Sequence, residues 1–435
     1  MAHMQERLSI RGGRPLRGSV RLAGAKNSVN KLLVAALLTE EPVILENVPA
    51  NGETDIVIEL CRSIGSTVEY AGHTIRISTP EIKSPRVPEL SRKNRIPILA
   101  LGPLLVRGGM AEVPALGGDY LGHRPVDFHI AALEKLGAAI EVTDSLYRAR
   151  TDGLHGAHIV LPYPSVGATE SIILAAVRAE GNTAISNAAI EPEIIDMVQM
   201  LQKMGAIIEL GSGRAINVEG VRELHGITHR LIPDRIEAAS FATMALATGG
   251  EVMVEDARQE HLITFLNSVR RAGGGYEILP DGIRFFRSGL LRPLHVETDT
   301  HPGFMTDWQQ PFTVLLTQAA GESIVHETVY DDRFGYTEDL RRMGASVTLI
   351  PQCLGSIPCR FSGKRYHHTA LIRGSTPLRG TTMTMSDIRA GMAHIIAALI
   401  AEGASEISGV EHIDRGYERI DERIRALGAD VQRVS

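Results

Sequence analysis

The sequence predicts an α/β (α+β) protein of two domains, each built from three repeats of one unit. The chain has 435 residues, which is more than a single hydrophobic core usually organises. One glycine signature occurs six times, and a strongly apolar helical segment accompanies each copy. Units of roughly 70 residues are too long for a solenoid. We therefore expect two three-fold domains in which sheets surround buried helices.

In the glycine signature, a charged amphipathic helix ends in an apolar residue, a glycine and a small residue that leads into a strand. The glycines are Gly65, Gly137, Gly205, Gly273, Gly344 and Gly428. Glycine adopts the left-handed conformation that ends a helix at no steric cost. Each glycine therefore predicts a helix C-terminus followed by a strand.

The second repeated element is a helix that is apolar almost all round. Its copies are Lys31 to Leu38, Ile96 to Val106, Ser171 to Val177, Ala238 to Ala247, Phe312 to Ala320 and Ala390 to Ala401. A helix without a polar face must be buried on every side. From the repeat count we assign residues 26–229 to a first domain, and residues 1–25 with 230–435 to a second. The opening strand, Leu8 to Arg21, is expected to complete the last repeat.

Composition excludes several classes of function. Hydrophobic residues make up 44% of the chain and charged residues 22%, and the formal net charge is −6. This balance favours neither nucleic acid nor an anionic membrane, and no apolar stretch reaches the roughly 20 residues that span a bilayer. We expect a cytoplasmic monomer that acts on small molecules.

The three cysteines fit a reducing compartment better than a disulfide framework. Cys353, Cys359, His367 and His368 are conceivable metal ligands. Their spacing matches no standard zinc motif and the two histidines are adjacent. We therefore predict no metal and no cofactor, and an irregular pair of strands in this region.

Charged residues stand at the starts of the buried helices, where the positive end of the helix dipole disfavours cations. These entrances carry Lys26-Asn27, Arg95, Asp234-Arg235, Asp307 and Asp387-Ile388-Arg389, whereas Ser165-Val166-Gly167 offers backbone N–H groups. A single arginine at such a place would be explained as a solvent-exposed helix cap or as a surface ion pair with a neighbouring aspartate. Their repetition instead indicates an anionic ligand with several phosphates or carboxylates.

No phosphate loop of the Walker type, dinucleotide fingerprint or serine-hydrolase elbow occurs in the sequence. Several separated motifs instead resemble the enolpyruvyl transferase family across nearly the whole chain. They are Gly24-Ala25-Lys26-Asn27-Ser28, Leu101-Gly102-Pro103-Leu104, Arg124-Pro125-Val126-Asp127, Ser165-Val166-Gly167-Ala168-Thr169, Pro233-Asp234-Arg235-Ile236-Glu237, Thr306-Asp307 and His412-Ile413-Asp414-Arg415-Gly416-Tyr417-Glu418-Arg419.

The resemblance implies two inside-out α/β barrels, each of three βαβαββ-like units. It implies transfer of the enolpyruvyl group of phosphoenolpyruvate to the 3-hydroxyl of UDP-N-acetylglucosamine, the first committed step of peptidoglycan synthesis. Two alternatives stay open. One is transfer to another acceptor, such as a nucleotide or shikimate 3-phosphate. The other is a non-catalytic paralogue that only binds the sugar nucleotide.

The resemblance also implies roles for individual residues. Lys26, Arg124 and Arg415 contact phosphoenolpyruvate, and Arg95, Arg333 and Arg389 add positive charge around its carboxylate or the nucleotide. Asn27 holds the sugar, and Asp307 is the base beside its 3-hydroxyl. The uridine diphosphate pocket is lined by Arg124, Pro125, Val126, Asp127, Phe128, Ser165, Val166, Gly167 and Val329.

Three residues depart from the common family pattern. Tyr163 replaces a lysine near the diphosphate, and Pro97 replaces a small hydroxyl residue after Arg95. Asp119, in the loop 115–124, stands where many relatives carry a cysteine that acts as general acid, and a subset of the family shares this aspartate. The catalytic set implied is Asp119, Lys26, Asp307 and Arg415. Because a carboxylate is a weaker nucleophile than a thiolate, we expect resistance to the epoxide fosfomycin.

Overall fold

The computed structural model describes residues 6–91, 94–115, 126–331 and 333–434. Asp119, Arg124 and Pro125 of the predicted site lie outside these residues. The described chain divides into two compact units. The amino-terminal unit comprises described residues of 24–232, and the carboxyl-terminal unit comprises 6–23 and 233–434.

The strands of the described residues are short. They are β1 Arg7–Arg11, β2 Arg17–Arg21, β3 Val43–Glu46, β4 Thr67–Ala71, β5 Thr74–Ser78, β6 Met110–Pro114, β7 Ala139–Val142, β8 Leu146–Arg150, β9 His158–Val160, β10 Asn182–Ser186, β11 Ile207–Leu210, β12 Ile216–Glu219, β13 Thr228–Arg230, β14 Glu251–Glu255, β15 Gly274–Leu279, β16 Gly282–Arg287, β17 His295–Glu297, β18 Gly321–His326, β19 Ser346–Ile350, β20 Thr369–Gly374, β21 Thr382–Thr384, β22 Ala404–Ser408 and β23 Asp430–Val434.

The helices alternate with these strands. They are α1 Lys26–Ala35, α2 Gly52–Ile64, α3 Leu101–Gly108, α4 Asp127–Lys135, α5 Val166–Ala176, α6 Pro192–Lys203, α7 Arg235–Thr248, α8 Gln259–Arg271, α9 Gln309–Leu316, α10 Thr337–Arg342, α11 Ile388–Ile400, α12 Val410–Asp414 and α13 Ile420–Ala426. Short 3₁₀ helices follow α1 at Ala36–Leu38 and precede α3 and α9 at Ile96–Ala100 and Thr306–Trp308.

Each unit contains three sheets. In strand order, those of the amino-terminal unit are β13-β3-β5-β4, β6-β8-β7 and β11-β12-β10-β9, and those of the carboxyl-terminal unit are β15-β16-β14-β2, β17-β18-β20-β19 and β21-β22-β1-β23. In the sheet of β9 to β12, β9 is parallel to β10 and the other pairs are antiparallel. The chain order there is the predicted βαβαββ unit. Among the described strands no sheet closes on itself, so the predicted barrels are open sets of sheets.

The buried helices occupy the predicted positions. In the carboxyl-terminal unit, α7, α9 and α11 pack against one another, and each also packs against its own sheet. Every residue of α7 from Arg235 to Ala247 is buried. A helix can be apolar on all sides only where protein surrounds it, which is why these segments are the most readable part of the sequence.

The six signature glycines all have positive φ, between 85° and 124°. The predicted helix ends are therefore confirmed.

The opening segment, predicted as one strand, is two. β1 lies between β22 and β23 and completes the last repeat as expected. β2 instead pairs in parallel with β14, and β13 pairs in parallel with β3. Two repeats thus take their first strand from a distant part of the chain. Among the described helices, none has both the length and the apolar character needed to cross a bilayer.

Candidate functional site

Asp307 lies in the short helical turn Thr306–Trp308 that precedes α9. The turn is anchored by Trp308, which is 1% exposed and packs edge-on against Phe304 at a centroid distance of 5.5 Å. Phe312 of α9 completes this aromatic group, 5.4 Å from Phe304. Such packing fixes the backbone on which Asp307 is carried.

Two buried arginines converge on Asp307. Its Oδ1 lies 2.5 Å from Nη2 of Arg333, and its Oδ2 lies 3.3 Å from Nε of Arg389. Burial alone lowers the pKa of the Arg333 guanidinium, but Asp307, Tyr330 and other acidic groups outweigh it and raise that pKa. Burial likewise lowers the pKa of Arg389, and Asp307 and other acidic groups outweigh it and raise that pKa. Both guanidiniums therefore stay charged, and they favour the ionised form of the aspartate.

Glu327 holds the backbone around Asp307 and Arg333 through several hydrogen bonds. Its Oε1 accepts hydrogen bonds from the backbone N–H groups of Val329, at 2.8 Å, and Tyr330, at 3.1 Å. Its Oε2 accepts from the hydroxyl of Thr306 at 2.8 Å. Burial raises the pKa of Glu327, and Arg333 opposes that rise. One buried carboxyl thus connects the Asp307 turn to the segment that carries Val329.

Arg389 is held at the start of α11. Asp387 caps this helix by accepting from the backbone N–H of Arg389 at 2.8 Å. The Arg389 guanidinium lies 3.3 Å from the hydroxyl of Tyr417, which in turn is 3.1 Å from the hydroxyl of Ser240 on α7. Contacts from α7, from the loop after α12 and from the turn before α9 therefore define the position of this arginine at the start of α11.

Arg415 follows directly after α12 and is half-buried. Its neighbour Asp414 accepts two hydrogen bonds from Arg433 on β23, at 2.8 and 2.9 Å. Arg433 also donates to Asp421 on α13 at 3.0 Å. A bidentate pair of this kind fixes orientation as well as distance, so the backbone that presents Arg415 is firmly anchored.

In the amino-terminal unit, Lys26 and Asn27 are the first residues of α1 and both are half-buried. The backbone N–H of Ala25 donates to the carbonyl of Ile232 at 2.8 Å. One turn further, Lys31 forms a buried ion pair with Glu170 of α5 at 2.8 Å. Burial raises the pKa of Glu170 to about 7, against the opposing charge of Lys31.

The start of α5 carries the predicted diphosphate segment. The hydroxyl of Ser165 caps the helix by accepting from the N–H of Ala168 at 3.4 Å, and Tyr163 accepts from the N–H of Ser165 through its carbonyl, at 2.6 Å. Val166 and Gly167 follow in the first turn and are half-buried. A capped helix start with small residues is a recurrent binding site for phosphate groups.

His129 on α4 packs against this helix start. Its Nδ1 lies 2.8 Å from the hydroxyl of Ser171, and a Cβ added at Gly167 would lie 2.8 Å from its Cε1. Burial lowers the pKa of His129 to about 4, and the charge of Arg95 adds to the effect. The imidazole is therefore neutral near pH 7. Val126, Asp127 and Phe128 precede it at the start of the same helix.

Arg95 stands at the entrance of the helix that contains Pro97. This entrance is the 3₁₀ helix Ile96–Ala100 with proline in its first turn, and α3 begins only at Leu101. Pro97 thus lies in the first turn of this 3₁₀ segment, directly after Arg95.

Sequence reasoning missed several residues that organise these sites. Glu327, Tyr417 and His129 make the contacts that hold Val329, Arg389 and the α5 start. Tyr417 stands in one of the quoted motifs, but its contact with Arg389, 28 residues away, could not be inferred from that motif. His129 likewise acts on a residue 42 positions away, and Glu327 joins its neighbour Val329 to the distant Thr306. A further grouping joins Cys353, Cys359 and His368 to His326 of β18, whereas His367 is exposed.

Comparison with known proteins agrees with the resemblance. The family model described as EPSP synthase (3-phosphoshikimate 1-carboxyvinyltransferase) matches residues 10–424. A UDP-N-acetylglucosamine 1-carboxyvinyltransferase from Protochlamydia amoebophila is 50% identical over 437 aligned positions, covering 98% of this chain and 94% of the relative. The protein of the same name from Chlamydia abortus is 48% identical, covering 98% and 97%.

Solved structures show the same fold at lower identity. The enolpyruvyl transferase NikO from Streptomyces tendae superposes with a TM-score of 0.85 at 22% identity, covering 99% of both chains. EPSP synthase from Acinetobacter baumannii superposes with a TM-score of 0.75 at 19% identity, covering 99% of this chain and all of its own. The match of fold and of almost the whole sequence shows that the chain belongs to the enolpyruvyl transferase family.

Proposed function

We propose that this chain transfers the enolpyruvyl group of phosphoenolpyruvate to the 3-hydroxyl of UDP-N-acetylglucosamine, the first committed step of peptidoglycan synthesis. The observation that carries the proposal is the near full-length identity of 50% and 48% to two proteins named UDP-N-acetylglucosamine 1-carboxyvinyltransferase. The structures of other enolpyruvyl transferases support only the fold, since they are 22% identical or less.

The reaction is an addition followed by an elimination. A proton is added to C3 of phosphoenolpyruvate while the sugar 3-oxygen attacks C2 and gives up its own proton. The tetrahedral intermediate then breaks the bond between C2 and the phosphate oxygen, and C3 loses a proton. The products are the enolpyruvyl ether and inorganic phosphate, so no oxidant, metal or cofactor enters the balance.

We assign the base of the first step to Asp307. Its two arginine partners make it a weak base. It can therefore take the proton only as the new C–O bond forms, when the attacking hydroxyl becomes strongly acidic. Arg333 and Arg389 would also hold the carboxylate in one orientation toward that hydroxyl.

The cationic residues are assigned to phosphoenolpyruvate. Lys26, Arg124 and Arg415 would neutralise its phosphate and stabilise the charge that develops as phosphate leaves, and Arg95 would add to the positive field. Asp119 is assigned as the acid that protonates C3. Asn27 is assigned to the sugar.

The nucleotide is assigned to two groups of residues. The first comprises the helix starts at Arg124, Pro125, Val126, Asp127 and Phe128 and at Ser165, Val166 and Gly167. The second is Val329, whose N–H is held by Glu327. A reducing cytoplasm suits the sparse cysteines, and we propose that the enzyme acts there as a monomer.

The test is an acceptor series. Purified protein with phosphoenolpyruvate and either UDP-N-acetylglucosamine, a simple nucleotide or shikimate 3-phosphate is assayed for released phosphate and for the mass of the product. We expect phosphate and a mass gain of one enolpyruvyl group only with the sugar nucleotide. Turnover with shikimate 3-phosphate would support the alternative that the family model's description suggests, and binding without turnover would identify a non-catalytic paralogue.

A further inference from the structure

Four potential metal ligands meet at one end of the sheet β17-β18-β20-β19. His326 is the last residue of β18, His368 immediately precedes β20, and Cys353 and Cys359 lie in the connection after β19. One ligand atom of each residue lies within 4.8 Å of those of the other three. In a tetrahedral zinc site, neighbouring ligand atoms are separated by about 3 to 4 Å, given bonds of about 2.0 to 2.3 Å.

Strand register explains why these residues meet. His326 and Ile350 are both paired with Thr369, the residue that follows His368. The ends of three neighbouring strands therefore lie side by side. The connection from β19 to β20 then has to turn back over this end of the sheet, which brings its cysteines to the two histidines.

The histidine His368 is oriented as a metal ligand requires. Its Nδ1 lies 2.7 Å from the carbonyl oxygen of Tyr366, so Nδ1 carries the proton and donates it. Its Nε2 is then the basic nitrogen, and this atom lies 3.2 Å from Sγ of Cys353. Metal-bound histidines are commonly oriented by such a carbonyl.

The second histidine, His326, is wholly buried. Neither of its ring nitrogens has a hydrogen-bond partner among the described residues. Its Nδ1 faces Oε2 of Glu297 at 3.7 Å, a carboxylate held by the backbone N–H groups of Ser356 and Ile357 at 3.0 and 2.9 Å. Buried polar atoms are rarely left without partners, and a metal bond would satisfy this imidazole.

We infer that His326, Cys353, Cys359 and His368 bind one zinc ion. Two thiolates and two imidazoles form a donor set that suits Zn²⁺ rather than Mg²⁺ or Ca²⁺, which prefer oxygen. Four protein ligands leave no open position, so the ion has a structural role. This inference replaces the expectation of an irregular strand pair without metal, and it is independent of the proposed reaction.

The ion would fasten the connection between β19 and β20 onto the sheet. From that connection, Arg360 donates a hydrogen bond to the carbonyl of Val329. Zinc therefore stabilises a segment that contacts the backbone of Val329, one of the residues that we assign to the nucleotide.

The first experiment uses the wild-type protein, reduced and freed of metal by a chelator. Titration with Co²⁺ is followed by visible absorption, and Zn²⁺ binding by competition with a chromophoric chelator. We expect the charge-transfer band of cobalt–thiolate bonds, tetrahedral cobalt bands and about one equivalent of either metal per chain. A folded, reduced protein that gives no thiolate band would overturn the inference. So would a chain whose Cys353 and Cys359 form a disulfide in the purified, untreated protein.

Variants then identify the ligands. Cys353→Ala and His326→Ala should each lose most of the bound metal and lower the melting temperature. Cys61→Ala, at a buried cysteine of the amino-terminal unit, and His367→Ala, at the exposed neighbour of His368, are matched controls that should retain the full equivalent. Loss of metal in His367→Ala with retention in His326→Ala would contradict the assignment.

Glu297→Gln provides a variant that keeps all four ligands. The loss of the carboxylate beside His326 should weaken Zn²⁺ binding by about 10- to 100-fold without changing the stoichiometry, as outer-shell changes do. An unchanged affinity would show that His326 is not bound in the way proposed.

Discussion

At the scale of single residues, the account depends most on Asp307. Its carboxylate is held by two buried guanidiniums, so it has a structural task as well as its proposed chemical one. Removal of the charge would leave two buried cations without their partner, which typically costs about 3 to 5 kcal/mol.

For Asp307→Asn we expect turnover to fall by about 100-fold or more, because a positioned base usually contributes that much. The melting temperature should fall as well. Phosphate release and thermal unfolding are measured together. The control is Asp256→Asn, which breaks an exposed pair with Arg21 and should leave stability nearly unchanged. Near-normal turnover in a folded Asp307→Asn protein would exclude Asp307 as the base.

Asp119 lies outside the described residues, so its assignment rests on the family resemblance. The wild-type enzyme should be insensitive to fosfomycin, because a carboxylate attacks an epoxide slowly. Asp119→Cys should retain activity and acquire time-dependent inactivation, and Asp119→Asn should lose nearly all turnover. The inactivation of Asp119→Cys is measured by its kinetics and by the mass of the modified protein, and turnover is measured by phosphate release. Full activity in Asp119→Asn would show that another group donates the proton.

At the scale of secondary-structure elements, the start of α5 is shaped by α4. Gly167 has no room for a side chain, because a Cβ would lie 2.8 Å from Cε1 of His129. His129 cannot move away easily, since its Nδ1 is hydrogen-bonded to the hydroxyl of Ser171 at 2.8 Å. An alanine at 167 must therefore shift either the helix start or the histidine.

Gly167→Ala should weaken UDP-N-acetylglucosamine binding by about tenfold, equivalent to 1.4 kcal/mol. Calorimetric titration measures the affinity. Gly108→Ala is the matched control, because Gly108 is an exposed helical residue whose Cβ would meet nothing within 4 Å. Equal affinities in the two variants would show that the start of α5 does not take part in binding the nucleotide.

The same contact predicts a dependence of stability on pH. Because burial lowers the pKa of His129 to about 4, the folded protein binds fewer protons there than the unfolded chain below pH 6.5. The stability that comes from keeping His129 neutral is therefore complete above pH 6.5 and is lost as the pH falls toward 4. Each pH unit in this window costs about 1.4 kcal/mol.

Between pH 6.5 and 5, wild type should lose about 2 kcal/mol more unfolding free energy than His129→Gln. Urea unfolding at each pH provides the measurement. His367→Gln, at an exposed histidine, should have the wild-type slope. Parallel curves for wild type and His129→Gln would mean that His129 is not buried as a neutral group.

At the scale of the whole molecule, the sequence predicted the repeated elements, but it did not predict the pairing of strands that are distant along the chain. The six glycine turns and the six buried helices were readable because local backbone geometry and all-round burial determine them. The pairing of β2 with β14 and of β13 with β3 could not be predicted. The sequence of a short strand does not show which distant strand it will pair with. For the same reason His326 escaped notice as a companion of Cys353: only the strand register brings the two together.

The candidate site, too, could be predicted from the sequence only in part. The helix-entrance pattern identified Arg95 and Arg389 as unusual, because the helix dipole disfavours cations at those places, and it located Asp307 at a third entrance. Their actual partners could not be read from it. The ion pairs of Asp307 with Arg333 and Arg389 depend on two helices and a loop separated by many residues.

The central claim is enolpyruvyl transfer to the sugar 3-oxygen by addition and elimination. Its most direct test is NMR of the product formed from ¹³C-labelled phosphoenolpyruvate and UDP-N-acetylglucosamine in D₂O. The account predicts a vinyl ether joined to the 3-oxygen, with deuterium at its vinyl carbon because C3 is transiently a methyl group. A vinyl ether without deuterium, or phosphate and pyruvate without an ether, would contradict it.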